Sequence, residues 1–356
     1  MSRRKQAHKE DSRRTRVGLF GFGRIGRNLT RLSIEENRSF DIVAVADLMP
    51  VESATYLLAN DSVYGRSPFR VRKSGHEIVI EKESESVREI AYLQKGEIRK
   101  IPWSKFECDI VVDASGTASY SELNKICRKR KNLQVVVTRN IEKCDFYAVY
   151  GVNHEKLDLK RNRIISASTC TGNAIVPVIA VLKELYGVKG GHLLTVHPAL
   201  RGQQMIDGYH TKYQLGRSSV ASIIPVRTGI AESVGRALPE LKGKFTSHSY
   251  RVPTQIVSVI HAILELSRSP RDNFLDEIDE AIKQKGIERI VSVDRAGIPR
   301  VSIDYLRRRE SGIISKFGSG VKNNSVFLSI FHDNEYGYCC RVADLIEYIG
   351  GLQYEN

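Results

Sequence analysis

Apolar residues in the first half of the chain come in short runs that alternate with amphipathic stretches. Residues 16–20 (RVGLF) form a strand-like run ending in glycines, and residues 25–35 place Ile25, Leu29, Leu32 and Ile34 on one face of a helix. Residues 41–46 (DIVAVA), 109–113 (DIVVD), 133–138 (LQVVVT) and 146–152 repeat the strand signal. Apolar, β-rich runs separated by helical stretches predict an α/β class fold, a doubly wound parallel sheet with helices on both faces.

The second half carries a different rhythm. Residues 192–197, 255–267 (QIVSVIHAILELS), 301–305 and 325–332 read as longer strands, and residues 173–185, 230–238 and 272–285 as helices. That grouping predicts an α+β unit on a mostly antiparallel sheet. Residues 335–350 return to a helical pattern, with Val342, Leu345, Ile346 and Ile349 on one face. The expected organisation is a basic tail over 1–15, a first domain over 16–168 completed by a helix within 335–356, and a second domain over 169–334.

Composition narrows the class. A chain of 356 residues is long enough for two cores, and it contains no apolar run that could span a membrane and no secretory-type stretch at its start. Cysteines at 108, 127, 144, 170, 339 and 340 form no C-x-x-C pair, which argues against a zinc site or redox dithiol and for free thiols in a reducing cytoplasm. No metal is expected. The net charge is +14, and the first 16 residues hold seven Lys/Arg against two acids. Such a tail reads as solvated and disordered, or as an arm for nucleic acid or an acidic partner; it has no aromatic residue on which a base could stack.

Gly21-Phe22-Gly23-Arg24-Ile25-Gly26 matches G-x-G-x-x-G where the chemistry needs it, after an apolar strand and before an amphipathic helix. The first glycine permits the turn, the second lets a pyrophosphate approach the backbone, and the third lets the helix pack on the sheet. The helix N-terminus then offers free N–H groups and a partial positive charge to phosphate. Asp47 ends the next strand, 21 residues after Gly26, where a carboxylate accepts the ribose hydroxyls of NAD. The expectation is a Rossmann-type dinucleotide site for NAD.

Residues 164–173 (IISASTCTGN) carry an apolar run into small polar residues, then Cys170, then a helix. A thiol at a helix N-terminus gains from the dipole, which favours thiolate, the reactive form. Taken alone, Cys170 fits a small buried hydrophobe equally well. His197 lies 27 residues on, where a strand gives way to a loop. A Cys–His pair can generate thiolate and shuttle protons, though the spacing fits a satisfied core histidine as well.

Together the segments VGLFGFGRIGRN (17–28), LLANDSVYGR (57–66), YGVNHEKLD (150–158), IISASTCTGN (164–173), TVHP (195–198), ALPELKGKF (237–245), YRVPT (250–254) and DNEYGY (333–338) resemble the glyceraldehyde-3-phosphate dehydrogenase family. The resemblance implies Cys170 as nucleophile and His197 as base. It implies that Gly21, Phe22, Gly23, Arg24 and Ile25 hold the NAD pyrophosphate and Asp47 the ribose, that Asn334 binds the nicotinamide carboxamide, and that Tyr338 packs beside the ring. Thr169, Thr171, Thr228 and Gly229 match its inorganic-phosphate site, and Arg251 its substrate-phosphate arginine. The implied protein is a cytoplasmic homotetramer that oxidises an aldehyde phosphate to an acyl phosphate through a thiohemiacetal and a thioester.

The chain also departs from the family pattern. Leu200 and Gly202 stand where threonines usually bind the substrate phosphate, and the next loop (212–217) keeps Arg217. Arg227 replaces a small residue beside Thr228. Arg201, Arg217, Arg227 and Arg251 are therefore expected to clamp a phosphate together. Residues 197–210 are similar to the erythrose-4-phosphate dehydrogenase branch, which makes a four-carbon aldehyde phosphate an alternative substrate. On the adenine side, residues 114–117 (ASGT) keep Ser115 for the cofactor, Thr138 is assigned to it too, and Arg139 and Asn140 replace small residues. Two further readings are a non-catalytic RNA-binding or scaffold relative and a dehydrogenase that releases acid by hydrolysis.

Overall fold

The computed structural model describes residues 14–82, 85–200 and 202–354. Most of the basic tail (1–13), Arg201 and residues 355–356 lie outside the described residues.

Strand Thr15–Phe20 lies between Phe40–Asp47 and Ile110–Asp113 and runs parallel to both. Gln134–Val137, Ile164–Ser166 and Phe146–Tyr147 continue the parallel ladder on one side. Glu85–Gln94 joins parallel on the other, followed by antiparallel strands Glu77–Lys82 and Arg70–Ser74. Alternate side chains divide between two apolar clusters. Val17, Leu19, Ile110, Val112 and Val136 pack with helices Arg24–Glu35 and Tyr336–Tyr354, while Phe20, Val111, Val135 and Val137 pack with helix Tyr120–Lys129. A period-two backbone apolar on both faces must be covered on both, which is why the middles of these strands are runs of Val, Ile and Leu.

The second sheet has the order Ile224–Val226, Phe245–Val252, Val188–Pro198, Ser258–Leu266, Ser325–His332, Gly312–Lys322, Val291–Asp294. Two of its pairings are parallel and four antiparallel. Ser258–Leu266 alternates buried and open positions. Its inner residues Ile260, Ala262 and Leu264 pack with helices Cys170–Tyr186, Ile230–Ala237 and Phe274–Gln284. The architecture is thus the expected α/β sheet plus a mostly antiparallel one. Among the described residues no helix is long and apolar enough to cross a membrane.

Three expected strands are corrected. The run at 146–152 leaves the sheet after Tyr147, because the Asn153 side chain takes the Val149 N–H and the Tyr147 carbonyl and Gly151 turns at φ +82°. Residues 301–305 are a 3₁₀ turn, Ser302–Tyr305, instead of a strand. Its alternation misled because Val301 and Ile303 face solvent, while Asp304 caps the Val301 N–H and Tyr305 stacks on Phe331. The run at 255–267 starts only at Ser258, after Val257 at φ +67°.

Candidate active site

The glycine turn divides its labour as the motif requires. Gly21 holds φ +97°, and a Cβ there would lie 2.5 Å from the Ser115 nitrogen; a Cβ on Gly26 would meet the Gly21 carbonyl at 2.4 Å. Around Gly23 there is no atom within 4 Å of a built Cβ, so this glycine faces open space at the start of helix Arg24–Glu35, with no side chain capping it. The N–H groups of Arg24 and Ile25 at this end are the orphan donors that every helix leaves. Asp47 accepts the Phe22 N–H at 2.6 Å and the Met49 N–H at 2.9 Å, which fixes its carboxylate beside the turn. The Arg24 guanidinium is ion-paired with Glu335 and Asp61, so only its backbone faces a phosphate.

On the adjoining strand ends, Ser115 Oγ donates to the Asp113 carboxylate at 2.6 Å and Thr138 Oγ1 to the Asp113 carbonyl at 3.1 Å. Asp113 is fully buried, and Arg139 compensates its charge through a 2.6 Å ion pair. That contact accounts for an arginine where the family has a small residue. Asn334 is buried with its Oδ1 unpartnered, an unmet acceptor suited to an amide donor. The open Gly23, the bare helix start, the anchored Asp47 and the unpartnered Asn334 fit NAD.

Cys170 is the first residue of helix Cys170–Tyr186. Thr169 caps that helix, its Oγ1 accepting the Gly172 N–H at 3.0 Å. Ser168 precedes it in a left-handed conformation, φ +60°, which is uncommon for a residue with a Cβ. A buried network holds it: Ser168 Oγ lies 2.7 Å from the Tyr147 hydroxyl, which also meets Ser233 and Asn140, and Tyr338 donates to the Ser168 carbonyl at 3.2 Å. Sequence reasoning missed Tyr147 and Ser233, which no motif marks. Asn140, noted only as a departure, proves part of the same network.

Strand Val188–Pro198 brings His197 to this turn, with Nε2 at 3.9 Å from Sγ. His197 Nδ1 lies 3.0 Å from the Pro198 carbonyl, which can only accept, so Nδ1 carries the proton and Nε2 offers its lone pair to the thiol. Arg251 sits opposite His197 in the parallel register and donates to the same carbonyl at 3.2 Å. Burial, then the Arg251 charge, push His197 down to about 3. Burial pushes the Cys170 thiol up to about 11, against the opposing pull of Arg251 and the Thr171 N–H. Desolvation thus opposes the expected helix-stabilised thiolate, favouring the neutral form of each partner against the pull of the helix terminus.

Thr169 and Thr171 place their hydroxyls 3.2 Å apart at the helix start. Thr228 Oγ1 accepts the Ile230 N–H at 3.3 Å, and Gly229 leads helix Ile230–Ala237. A cavity of about 550 Å³ is lined by Leu200, Gly202, Gln203, Lys212, Arg227 and Arg251 among others. The expected arginine clamp is only partly assembled. Arg217 stands outside this lining because Asp207, ten residues earlier in the same loop, holds it in an exposed ion pair at 2.8 Å. Lys212 and Gln203 join the wall instead.

Comparison with known proteins gives one answer over nearly the whole chain. The model of the glyceraldehyde 3-phosphate dehydrogenase NAD-binding domain matches residues 15–121, and that of the C-terminal domain matches residues 169–334. Glyceraldehyde-3-phosphate dehydrogenase of Chlamydia pneumoniae is 33% identical over 342 residues, 94% of this chain and 98% of its own length. Glyceraldehyde-3-phosphate dehydrogenase 1 of Bacillus cereus is 31% identical over 341 residues, 94% and 98% of the two chains. Glyceraldehyde-3-phosphate dehydrogenase 1 of Kluyveromyces lactis is 33% identical over 346 residues, 94% and 99%.

Proposed function

The chain belongs to the glyceraldehyde-3-phosphate dehydrogenase family of NAD-dependent oxidoreductases, and on that premise we propose that it oxidises a phosphorylated aldehyde through a thioester on Cys170 and releases an acyl phosphate. The observation that carries this reading is the Cys170–His197 pair, with the imidazole lone pair turned to the thiol by the Pro198 carbonyl.

Cys170 adds to the aldehyde carbon as His197 Nε2 takes the thiol proton, and the proton then passes to the new alkoxide to complete a thiohemiacetal. Arg251 beside the pair stabilises the anionic species. His197 next removes the hemiacetal hydroxyl proton, and loss of a hydride from the same carbon then leaves a Cys170 thioester. When bound, NAD supplies the two-electron acceptor for the hydride that leaves this carbon. Gly21, Phe22, Gly23 and the backbone of Arg24, Ile25 and Gly26 hold its pyrophosphate, Asp47 its ribose, Ser115 and Thr138 line its adenine side, Asn334 takes the carboxamide, and Tyr338 packs close to the reacting thiol. Inorganic phosphate, held by Thr169, Thr171, Thr228 and Gly229, attacks the thioester, and Cys170 departs as thiolate to be reprotonated by His197.

The described residues support the rest of the reading. The division into 16–168 with 335–356, and 169–334, follows the two sheets. Six unpaired cysteines fit a reducing cytoplasm. Met205, Ile206, Tyr209, Tyr213 and Ile223 expose an apolar surface on one loop region, as a homotetramer contact would. The similarity of residues 197–210 to the erythrose-4-phosphate dehydrogenase branch makes a four-carbon aldehyde phosphate the alternative substrate. The test is NADH absorbance with three- and four-carbon aldehyde phosphates, each with and without inorganic phosphate. Phosphate-dependent NADH formation is expected, and turnover that ignores phosphate points to release by water. No turnover on any aldehyde overturns the reading.

A further inference from the structure

We propose that Arg24, Asp61 and Tyr64 are positioning residues that brace the buried Asn334 amide against the glycine turn, so that the nicotinamide half of NAD meets a preformed site. The proposal rests on the dehydrogenase reading above and names side chains that act on the cofactor only through Asn334.

Asn334 is buried between two anchored carboxylates. On one side Asp333 accepts the Tyr64 hydroxyl at 2.7 Å, together with the N–H groups of Glu335, Tyr336 and Arg307 at 2.8–3.0 Å. On the other, Glu335 takes Arg24 side-on, through Nε at 2.9 Å and Nη2 at 2.6 Å. The same guanidinium donates to the Asp61 carboxylate through Nη1. Asp61 in turn accepts the Val63 and Tyr64 N–H groups at 2.8 and 3.0 Å. That turn brings the Tyr64 ring against the guanidinium, 5.4 Å from the ring centroid. The contacts close on themselves, running from Arg24 through Asp61, Tyr64 and Asp333 to Asn334 and Glu335, and back to Arg24.

Charge shows what the brace does not do. A guanidinium at a helix start opposes the positive end of the dipole and ordinarily serves an anion. Here one cation faces two carboxylates, so the cluster does not draw in a pyrophosphate. What it supplies is rigidity. Arg24 begins helix Arg24–Glu35, so its backbone N–H belongs to the bare start, while its side chain ends on the residue next to Asn334. The pyrophosphate turn and the carboxamide site are thereby tied through one residue, although Arg24 and Glu335 lie 311 positions apart. Asn334 Oδ1 has no hydrogen-bond donor among the described residues, so the backbone anchored on either side aims it. An amide already held in its bound orientation loses little freedom when the ligand arrives, which lowers the cost of binding.

Tyr64→Phe removes one of four donors to Asp333 and keeps the ring. Arg24→Lys keeps the charge but cannot span both carboxylates with a planar fork. Both variants leave a cation beside Asp61 and Glu335, so the fold is retained, which thermal denaturation checks. Calorimetry then compares NAD with ADP-ribose, which has the pyrophosphate but no nicotinamide. Each variant should weaken NAD about fivefold and ADP-ribose less than twofold. Asn334→Ala should show the same selective loss, and Tyr64→Phe added to it should bring no further loss. A general loosening of the fold would instead weaken both ligands alike and add to Asn334→Ala. Equal effects on the two ligands, unchanged NAD binding, or full additivity overturns the brace and leaves the dehydrogenase reading standing. Selective, non-additive loss in a protein that oxidises no aldehyde supports the brace and sinks only the dehydrogenase reading. Asn334→Ala protein that binds NAD like wild type overturns the brace together with the carboxamide assignment.

Discussion

Two turns in this molecule start a helix at a chemically important point, and they are built in opposite ways. Gly21–Gly23 precedes helix Arg24–Glu35 and stays bare: a glycine at positive φ, a glycine with nothing around its missing Cβ, and no side-chain cap. Ser168–Thr169 precedes helix Cys170–Tyr186 and is capped from within. Its positive-φ residue carries a side chain held by Tyr147, and Thr169 closes the first turn. A helix start left bare receives a ligand, because its N–H groups lack partners. One filled from within aims a side chain, because its neighbours leave it little freedom. The difference lies in which donors remain free.

The largest effect expected from breaking this contrast is at the capped turn. Cys170→Ser should lower NADH production at least about 10⁴-fold, since a hydroxyl there is a far weaker nucleophile, while NAD affinity stays near wild type. Calorimetry beside the kinetic assay checks both, and residual turnover above a few percent would remove Cys170 from the covalent step.

The bare turn should divide cleanly under valine substitution. At Gly23 a Cβ has no atom within 4 Å beyond its own turn, so with Gly23→Val thermal stability should hold while the NAD dissociation constant rises about tenfold or more, from blocked pyrophosphate approach. Gly21→Val forces a Cβ into the Ser115 backbone at positive φ, costing about 3 kcal/mol or more in stability. Equal stability of the two variants would contradict the assignment of roles.

Closing the second turn also buries its base, which makes stability depend on pH. His197 and the buried His332 are both pushed down to about 3 in the folded protein, yet titrate near 6.5 when unfolded. Below that value the unfolded chain binds protons that the native state refuses. Stability is therefore full above about pH 6.5 and declines as pH falls toward 3. Urea midpoints should drop between pH 7 and 5, before most carboxylates titrate; a flat profile there would show that the imidazoles are not held neutral.

The smallest effect concerns the network behind Ser168. Tyr147→Phe removes the hydroxyl that meets Ser168 and Ser233, at a cost of roughly 1–3 kcal/mol. Turnover should fall several-fold with KM for NAD unchanged. An unaltered urea midpoint would mean that the left-handed Ser168 needs no such support.

Much of the fold was legible because its signals are local. Runs apolar on both faces announce strands covered on both sides, and Gly21, Gly23, Gly26 and Asp47 announce their roles by spacing. The failures were also local signals. Residues 301–305 alternate like a strand, but Val301 and Ile303 point to water, and Arg217 looked like a phosphate ligand until Asp207 claimed it. One-dimensional spacing does not say which face meets a core or which charge meets a partner.

The sequence by itself determined the dinucleotide turn, its acidic partner and a cysteine at the start of a helix, because each depends on neighbours a few residues away. Only the tertiary structure decided how that cysteine behaves. The Pro198 carbonyl selects the His197 tautomer, the strand register sets Arg251 against it, and enclosure by distant segments raises the thiol where the helix terminus alone predicted a thiolate. Gln203 and Lys212 enter the cavity wall for the same reason. Desolvation and partner choice sum over atoms brought together from across the chain, and no local pattern contains that sum.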